Sequence, residues 1–530
     1  MNNDNPGSKK PSNITWFPNI HSASEAPETD DDLKTKFTNR PLIVLDQQIT
    51  DLAEEAWNAV VDAGDVEMYQ QRGRLVRVAP TLDGSGGGSS INEVTQQGLR
   101  QILYKVARWE KPPKAGREHG APCHSLPRDL VAQLIETPDA RVPELVRAVC
   151  HPIVVDGRIL FKNGYDAVSR YYMSNCPEIN LFETVSRDDA VAAAQSILDD
   201  IFGEFPFIDQ ASRAHALAIP LSAMLRPMTG ILPPCYITSS VAGAGKGLLI
   251  DAATAMLNGR IPCTPPSNME ELRKRVQASL IAGSTVVKID NLNGAVYSSF
   301  LASIFTDEEH EFRELGSHRQ VKARNNAIFL INGINLSCGR ELARRGIVIR
   351  LVPDEETPHL KNSFRLPGTK LVQHVLENRT DILRRLLTMI KYWIQEGCHR
   401  SSHSLGSFES WSSIMGAVLD GAGVSGFMAN KAEMESVMDT ETDVWRALVL
   451  EWKERFANKA ITVAGVMELA SATEVLAELG PLPGTGARSN ATKMGQRLRT
   501  KLDCVIAGHK ITRVTTKLGH HEYRLDPVSA

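Results

Sequence analysis

The chain has 530 residues, of which 42% are hydrophobic, so it is long enough for about three or four domains with real apolar cores. The formal net charge of -3 excludes a protein that binds polyanions over its whole surface, and any contact with nucleic acid must come from a local basic patch. No apolar stretch is long enough to span a membrane, and the polar start Met1-Asn2-Asn3-Asp4 lacks a signal-peptide core. None of the eight cysteines forms a Cys-x-x-Cys pair, and Cys123-His124 and Cys150-His151 lack the spacing of zinc ligands. We therefore expect reduced thiols, a cytoplasmic location and no membrane partner.

The first 150 residues predict a tail followed by a small mixed domain. Residues 1–38 are polar and rich in Asn, Ser, Pro and acidic residues, a composition typical of a disordered tail. Residues 39–150 contain strand and helix patterns and a hairpin pattern that turns at Arg72-Gly73-Arg74, which together predict a mixed α+β region. Two roles stay open for this region, an oligomerisation collar and an accessory DNA-binding domain.

The most informative motif is the glycine-rich stretch at residues 239–249, inside the region 151–430 that we predict to be the catalytic core. It follows an apolar run and precedes a helical one, which is the strand–loop–helix order of a phosphate-binding loop. In such a loop the backbone N–H groups surround phosphate oxygens, the helix N-terminus favours negative charge, and Lys246 reaches the β- and γ-phosphates. We therefore predict that the chain binds ATP through Ser240, Gly243, Ala244, Gly245, Lys246, Gly247 and Leu248.

Two positions of this loop depart from the usual pattern. Ser240 stands where the first glycine is expected, and Gly247 stands where a Ser or Thr hydroxyl normally holds Mg²⁺. Gly247 has no oxygen with which to ligate the metal through its side chain. An ordinary glycine-rich turn between a strand and a helix is the alternative interpretation of the loop.

A second motif lies at residues 284–291, where a β-branched run leads to Asp290. The run predicts a buried parallel strand that ends at Asp290, and ligands of α/β sheets bind outside such strand ends. We predict that Asp290 holds Mg²⁺ through water molecules. Asn291 stands where many ATPases carry a Glu, and an amide can orient water but cannot take its proton. The general base stays open, with Glu270 and Glu271 as weak candidates.

A third motif lies at residues 327–335, another apolar run, which predicts a buried strand ending at Asn332. Beside Asp290, the Asn332 amide would orient the water that attacks the γ-phosphate. Asn335 is an alternative for this role, and a simple Asn-Gly turn is the plainer interpretation.

The pair Arg344-Arg345 precedes a further predicted strand. An arginine here would reach a phosphate on a neighbouring subunit and stabilise the charge of the transition state. The sequence does not choose between the two residues. A solvated basic helix end is the alternative.

Between the second and third motifs, residues 312–316 and 320–324 form a pattern typical of a hairpin around a Gly-Ser turn. Its tip and return strand carry three residues that suit phosphate contacts, His318, Arg319 and Lys322. A solvated basic hairpin is the alternative.

Residues 438–530 predict a separate C-terminal domain in which helices precede a two-stranded hairpin, the order of a winged helix. Lys493, Arg497 and Lys501 follow one another at intervals of four residues, so we expect them on one helical face that binds DNA. A winged helix that docks on a protein is the alternative.

In this order the motifs resemble the AAA+-like ATPases of superfamily 3 helicases, and more closely the replication ATPases of phages, plasmids and integrated mobile elements. The resemblance covers roughly residues 150–430 and includes Pro152–Tyr165, Phe205-Pro206-Phe207, Gly245-Lys246-Gly247, Arg313–Gly316 and Leu405–Trp411. A glycine after the loop lysine is common in that family. The family's Gly-Asn-Asn strand end is replaced here by Asn332-Gly333-Ile334-Asn335, which leaves open which Asn corresponds.

The resemblance implies an α/β fold with an AAA+-like P-loop ATPase core, to which the sequence patterns described above add a mixed α+β N-terminal region and a C-terminal winged-helix domain. It implies a homo-oligomeric ring, taken as a hexamer, in which His318, Arg319 and Lys322 grip the phosphates of single-stranded DNA. The function predicted from it is an ATP- and Mg²⁺-dependent DNA helicase or replication initiator of a mobile genetic element, which acts on origin DNA and works with a primase or other replication proteins. The alternatives are an AAA+-type protein remodeller and an ATP-switched DNA-binding regulator without unwinding activity.

Overall fold

The computed structural model describes residues 40–64, 66–80, 89–114, 120–257, 268–296, 298–313, 320–354, 365–366, 368–438, 440–472, 487–515 and 521–528. These residues form two compact units. One contains the described residues of Met1–Leu75 and Glu93–Val142, and the other those of Val76–Asn92 and Pro143–Ala530. The predicted tail, residues 1–38, lies outside the described residues.

The N-terminal part of the chain is mixed α+β, as predicted. Its elements are β1 (Leu42–Val44), α1 (Ile49–Ala63), β2 (Tyr69–Gln71), β3 (Arg74–Pro80), β4 (Ser89–Glu93), α2 (Gln96–Val106), β5 (Arg108–Glu110) and α3 (Arg128–Glu136). The three helices enclose a core around Trp57, Leu99 and Leu130. The turn between β2 and β3 at Arg72-Gly73 has positive φ at both residues, 52° and 73°, which confirms the predicted hairpin turn.

The catalytic region that we predicted begins with small strands and two long helices. These elements are β6 (Arg147–Val149), β7 (Ile153–Val155), β8 (Arg158–Leu160), β9 (Gly164–Asp166), β10 (Tyr171–Met173), α4 (Arg187–Asp200) and α5 (Gln210–Thr229). β6 precedes residue 151 but pairs with β10, so it belongs to the second unit. α4 and α5 are separate helices: Phe205-Pro206 lies in the break between them, and the Asp209 carboxylate caps α5 by accepting from the Ser212 N–H at 2.6 Å.

The remaining elements of this region alternate between strands and helices. They are β11 (Cys235–Ser239), α6 (Lys246–Ala255), α7 (Met269–Ile281), β12 (Val286–Val296), α8 (Ser299–Thr306), β13 (Glu309–Arg313), β14 (Gln320–Arg324), β15 (Ile328–Cys338), α9 (Arg340–Ala343), β16 (Ile347–Leu351), α10 (Gly368–Glu377), α11 (Arg379–Gln395) and α12 (Glu409–Gly421).

β11, β12, β15 and β16 form a four-stranded sheet in the order β12-β15-β11-β16, and every pair in it is parallel. Alternate residues of its strands enter two different apolar cores. Ile237 and Leu330 pack into one core, whereas Tyr236 and Phe329 pack into the other. A sheet buried on both faces explains the nearly continuous apolar runs of these strands, and the mixed α/β class is as predicted.

Two predicted strand ends are wrong. β12 does not stop at Asp290 but continues to Val296, and β15 continues past Asn332 to Cys338. Beyond these points the two strands pair with each other, after a register shift between Ile289 and Leu292. The polar residues that suggested strand ends in the sequence therefore lie at an irregularity inside a longer pair of strands.

α10 and α11 are separated at Asn378. The remaining elements of the chain are α13 (Lys431–Met438), α14 (Thr440–Phe456), β17 (Ile461–Thr462), α15 (Val463–Ala472), α16 (Ala487–Thr500), β18 (Val505–Ile506), β19 (His509–Thr515) and β20 (His521–Pro527). The four strands form a sheet in the order β17-β20-β19-β18, and α14, α15 and α16 share a core around Trp445, Trp452 and Leu498.

One buried histidine joins α5 to the central sheet. His215 Nδ1 donates to the Val348 carbonyl at 2.8 Å, and its Nε2 accepts from the Met428 N–H at 3.2 Å. Because both ring nitrogens are engaged in this way, the ring must be neutral, and burial lowers the pKa of His215 from 6.5 to about 4.

This neutral histidine makes folding dependent on pH. The pKa of His215 in the folded state lies below its unfolded value. Its contribution to the free energy of unfolding is therefore complete above pH ~6.5 and is lost as the pH falls toward ~4. Between pH ~7.5 and ~5, protonation of this residue lowers the free energy of unfolding by about 2 kcal/mol. In urea unfolding we expect His215→Gln to lower stability at pH ~7.5 and to reduce the pH dependence by about that amount. An unchanged pH dependence would contradict the assignment.

Candidate nucleotide-binding site

The glycine-rich loop has the local structure that its motif predicts. β11 ends at Ser239, the loop follows, and α6 begins at Lys246. Gly243 and Gly245 have φ of 79° and 88°, in the left-handed region that glycine adopts at little cost. The loop therefore leads directly into a helix N-terminus, where free backbone N–H groups favour an anion.

Lys246, the first residue of α6, points its ammonium group back at the end of β11. Its Nζ donates to the Ser239 hydroxyl oxygen at 2.5 Å and to the Val241 carbonyl at 3.2 Å. Partial burial lowers the pKa of Lys246, and the carboxylate of Asp290 acts in the opposite direction. A phosphate at this position would stabilise the ammonium charge further, so the group is suited to a phosphate ligand.

Asn332 contacts the irregularity in β12 directly. Its side-chain Oδ1 accepts from the Asn291 backbone N–H at 3.0 Å, and Asn291 has a φ of 58°. The Asn332 side chain is buried, with 3% exposure of the residue, and its Nδ2 has no hydrogen-bond partner among the described residues. Asn335 lies three residues further along β15 and is exposed. Of the two candidates, the structure therefore brings Asn332 to the Asp290-Asn291 backbone.

The next residue, Gly333, allows the two strands to approach each other at this point. A Cβ atom on Gly333 would lie 1.9 Å from the Leu292 carbonyl oxygen, a distance that no side chain permits. The glycine of the Asn-Gly pair is therefore explained by close backbone packing inside a strand pair rather than by a turn.

The residues present fit a hydrated Mg²⁺ beside the loop. The described residues contain no group of three or more His, Cys, Asp or Glu side chains that could hold a metal ion by themselves. Mg²⁺ is commonly held by one or two carboxylates, water molecules and the phosphates of its substrate, for which Asp290 alone suffices. A side chain added at Gly247 would meet nothing within 4 Å, so the start of α6 has open space beside it.

The weak candidates for a general base are engaged elsewhere. Glu270 and Glu271 lie in the first turn of α7, where Glu270 pairs with Lys274 at 3.0 Å and Glu271 with Arg275 at 2.7 Å. Hydrogen bonding to Lys274 lowers the pKa of Glu270. Neither geometry supports a role as base.

A buried ion pair that the sequence did not reveal joins α6 to β12. Lys288 Nζ lies 2.8 Å from Asp251 Oδ1, and the two side chains are 8% and 18% exposed. Asp251 is one helical turn after Gly247, and Lys288 is two residues before Asp290. The pair therefore ties the helix that follows the loop to the strand that carries Asp290.

Breaking this pair should cost far more than breaking an exposed one. We expect Lys288→Met to lower the free energy of unfolding by about 3 kcal/mol, because it leaves a buried carboxylate unpaired, and Lys288→Met with Asp251→Leu to recover most of it. The matched control is Lys274→Met, whose exposed pair with Glu270 should contribute less than about 1 kcal/mol. Equal losses in urea unfolding for Lys288→Met and Lys274→Met would contradict this prediction.

The two arginines predicted to act on a neighbouring subunit differ in their surroundings. Arg345 donates from Nη1 to the Ala302 carbonyl at 3.0 Å and pairs through Nη2 with Glu341 at 3.0 Å, and its side chain is 15% exposed. Arg344 is exposed. Arg345 is thus held within its own chain, whereas Arg344 can reach another molecule.

The predicted hairpin is present as the antiparallel pair β13 and β14. Its tip, with His318 and Arg319, lies outside the described residues. On the exposed face Lys322 lies opposite Glu311, and Arg324 pairs with Glu309 at 3.2 Å. Lys322 and Arg324 therefore each lie opposite a glutamate on the neighbouring strand.

The basic residues predicted to share a face of the C-terminal domain do not all lie on its helix. Lys493 and Arg497 are on α16 and are half-buried. Lys501 follows the end of α16, and its Nζ lies 5.8 Å from the ring centroid of Trp445 in a cation–π contact. The Lys501 ammonium group is thus directed at the core of its own domain.

No family model matches the chain, and no curated protein matches it either. Among solved structures, the apo C-terminal region of NrS-1 in its A form matches at 12% identity with a TM-score of 0.40, over 89% of this chain and 98% of that one. The structure titled "SCCmec type IV Cch - active helicase" matches at 10% identity with a TM-score of 0.34, over 86% of this chain and 91% of that one. Scores this low do not establish a common fold. None of the described helices combines the length and apolar character needed to cross a membrane.

Proposed function

We propose that this protein is an ATPase that uses Mg²⁺ and couples hydrolysis to movement on DNA. The observation that carries the proposal is the sheet order, which places β15 with Asn332 between the loop strand β11 and the Asp290 strand β12. Three neighbouring strands of one sheet thereby bring together a loop suited to phosphate, an ammonium group, a carboxylate and a buried amide donor. Hydrolysis of a triphosphate requires these groups together.

In the proposed reaction the loop N–H groups and Lys246 hold the phosphates in place. Mg²⁺, when bound, neutralises charge on the phosphate oxygens, and Asp290 would hold it through its hydration shell. The Nδ2 group of Asn332, which has no hydrogen-bond partner among the described residues, donates a hydrogen bond to the attacking water and fixes its position.

A neighbouring subunit would complete the site with Arg344. The exposed guanidinium of Arg344 is free to stabilise the charge that develops on the γ-phosphate, whereas Arg345 positions α9 from within. A homo-oligomeric ring, taken as a hexamer, satisfies this requirement at every interface.

DNA would be contacted by the hairpin tip, which carries His318 and Arg319, and by Lys493 and Arg497 on α16. Because Lys322 and Arg324 are each paired across the hairpin with a glutamate, we expect the strongest phosphate contacts at the tip rather than along the strands. In this proposal the protein is a cytoplasmic replication helicase or initiator of a mobile element, with a primase or other replication proteins as partners. The same paired charges favour, as a second candidate, an AAA+-type remodeller whose hairpin engages a protein.

ATP turnover with and without single-stranded DNA tests the proposal. We expect turnover that rises at least severalfold with DNA, and loss of turnover in Lys246→Ala because the phosphates lose their main cationic contact. Stimulation should fall with rising salt, because phosphate contacts release counterions. Turnover that is lost in Lys246→Ala but does not respond to DNA would favour the remodeller. Equal turnover in the unaltered protein and in Lys246→Ala would exclude the ATPase.

Mixing variants tests the assignment of Arg344. We expect Arg344→Ala to lower turnover by about 10³-fold with ATP binding retained, since an arginine finger acts on the transition state. Mixed with Lys246→Ala, it should recover partial turnover, because an interface then combines an intact loop with an intact arginine. The matched Arg345→Ala variant should lose stability, and no mixture should restore its stability. If turnover recovered instead in a mixture of Arg345→Ala with Lys246→Ala, Arg345 rather than Arg344 would be the residue that acts on the neighbouring subunit.

A further inference from the structure

The edge of the sheet beyond β16 carries a short aromatic segment that the proposed site does not use. Residues Phe205–Ile208 lie antiparallel to the end of β16: Phe207 bridges Leu351, Ile208 N–H donates to the Arg350 carbonyl at 3.1 Å, and Val352 N–H donates to the Pro206 carbonyl at 2.8 Å. The segment therefore adds a single antiparallel bridge to the edge of the sheet, beyond β16.

This aromatic segment touches the glycine-rich loop. A Cβ atom on Gly245 would lie 3.3 Å from Cε1 of Phe205, so the edge of that ring packs against the glycine that precedes Lys246. The rings of Phe205 and Phe207 have centroids 6.0 Å apart. Phe207 therefore lies next to the ring that packs against the loop.

The surface around these rings is apolar and partly exposed. Phe205 and Phe207 are both half-buried. Ile208 and Val352 remain 43% and 37% exposed, although both are anchored by backbone hydrogen bonds. Leu366 also lies here, since its N–H and that of Arg365 approach the Glu204 carboxylate, which is next to Phe205 in the chain.

The sheet order gives the direction in which a nucleotide would lie. Asp290 and Asn332 are on β12 and β15, on one side of β11, and the aromatic segment is on the other side, beyond β16. With its γ-phosphate toward Asp290, a nucleoside triphosphate at the loop extends its α-phosphate, and then its sugar and base, toward β16.

We propose that the nucleobase of the triphosphate lies against Phe207 and the adjoining Phe205, which contribute base affinity. This inference rests on the proposed function and deepens it. An aromatic ring offers a π-face to any base, so stacking supplies affinity with little discrimination among bases. The phosphates are held by the loop and the base by the sheet edge, and the two parts can be measured separately.

Calorimetric titration of the full chain with Mg²⁺-ATP and with Mg²⁺ and inorganic tripolyphosphate separates these two parts. We expect Phe207→Ala to raise the Kd for ATP roughly tenfold and to leave that for tripolyphosphate unchanged. Phe207 is the residue to change, because Phe205 contacts the loop itself and its truncation would disturb both ligands. The matched control is Phe182→Ala, which removes a ring that is 64% exposed and should alter neither Kd.

A second variant covers the possibility that Phe207→Ala does not fold. Phe207→Trp retains a ring and adds a fluorophore, whose emission should be quenched by ATP but not by tripolyphosphate, beyond any change in the unaltered protein. Equal effects of Phe207→Ala on both ligands, or no differential quenching, would overturn the base assignment while the ATPase proposal stood. If the unaltered protein bound neither ligand, the ATPase proposal would fail and this inference with it.

Discussion

The parallel insertion of β15 between β11 and β12 is the constraint on which the candidate site depends. Its register sets Asn332 beside Ile237 of β11 and Ile331 beside Ile289 of β12, so the amide lies between the loop strand and the acid strand. If β12 were next to β11, Asn332 could not contact the backbone at Asn291. Buried backbone groups that are paired on both sides leave β15 little freedom, which makes the position of its side chains reproducible.

The irregularity at Asp290-Asn291 is held by this inserted strand. A non-glycine residue in the left-handed region costs of order 1 kcal/mol and persists only where the surrounding structure stabilises it. Here the Asn332 Oδ1 accepts the Asn291 N–H, and Gly333 lets the Leu292 carbonyl approach. The same interaction that stabilises the irregular backbone leaves Nδ2 of Asn332 as a buried donor. The site thus depends on an amide that has one structural contact and one group left for a ligand.

Much of the local structure could be predicted from the sequence, because local patterns determine it. The loop from β11 to α6, the turn at Arg72-Gly73 and the pairing of β13 with β14 depend on glycines and alternation within a few residues. The ends of β12 and β15 could not be predicted, since a polar pair inside a strand resembles a strand end until its partner is known. The Lys288–Asp251 ion pair could not be predicted for a similar reason, because its two residues lie 37 positions apart in the sequence. The difference between Arg344 and Arg345 depends on the distant Ala302 carbonyl.

The most direct test of the account compares Asn332→Leu with Asn335→Gly, with single-turnover hydrolysis and ATP affinity measured on each. Leucine has the branching and the number of side-chain heavy atoms of asparagine but lacks its amide, whereas glycine tolerates the positive φ of position 335. We expect Asn332→Leu to slow hydrolysis by roughly 100-fold or more, because it removes both the positioned donor and the oxygen that accepts from the Asn291 N–H. We expect Asn335→Gly to hydrolyse ATP at nearly the normal rate. Normal hydrolysis in Asn332→Leu, or a large loss confined to Asn335→Gly, would contradict it.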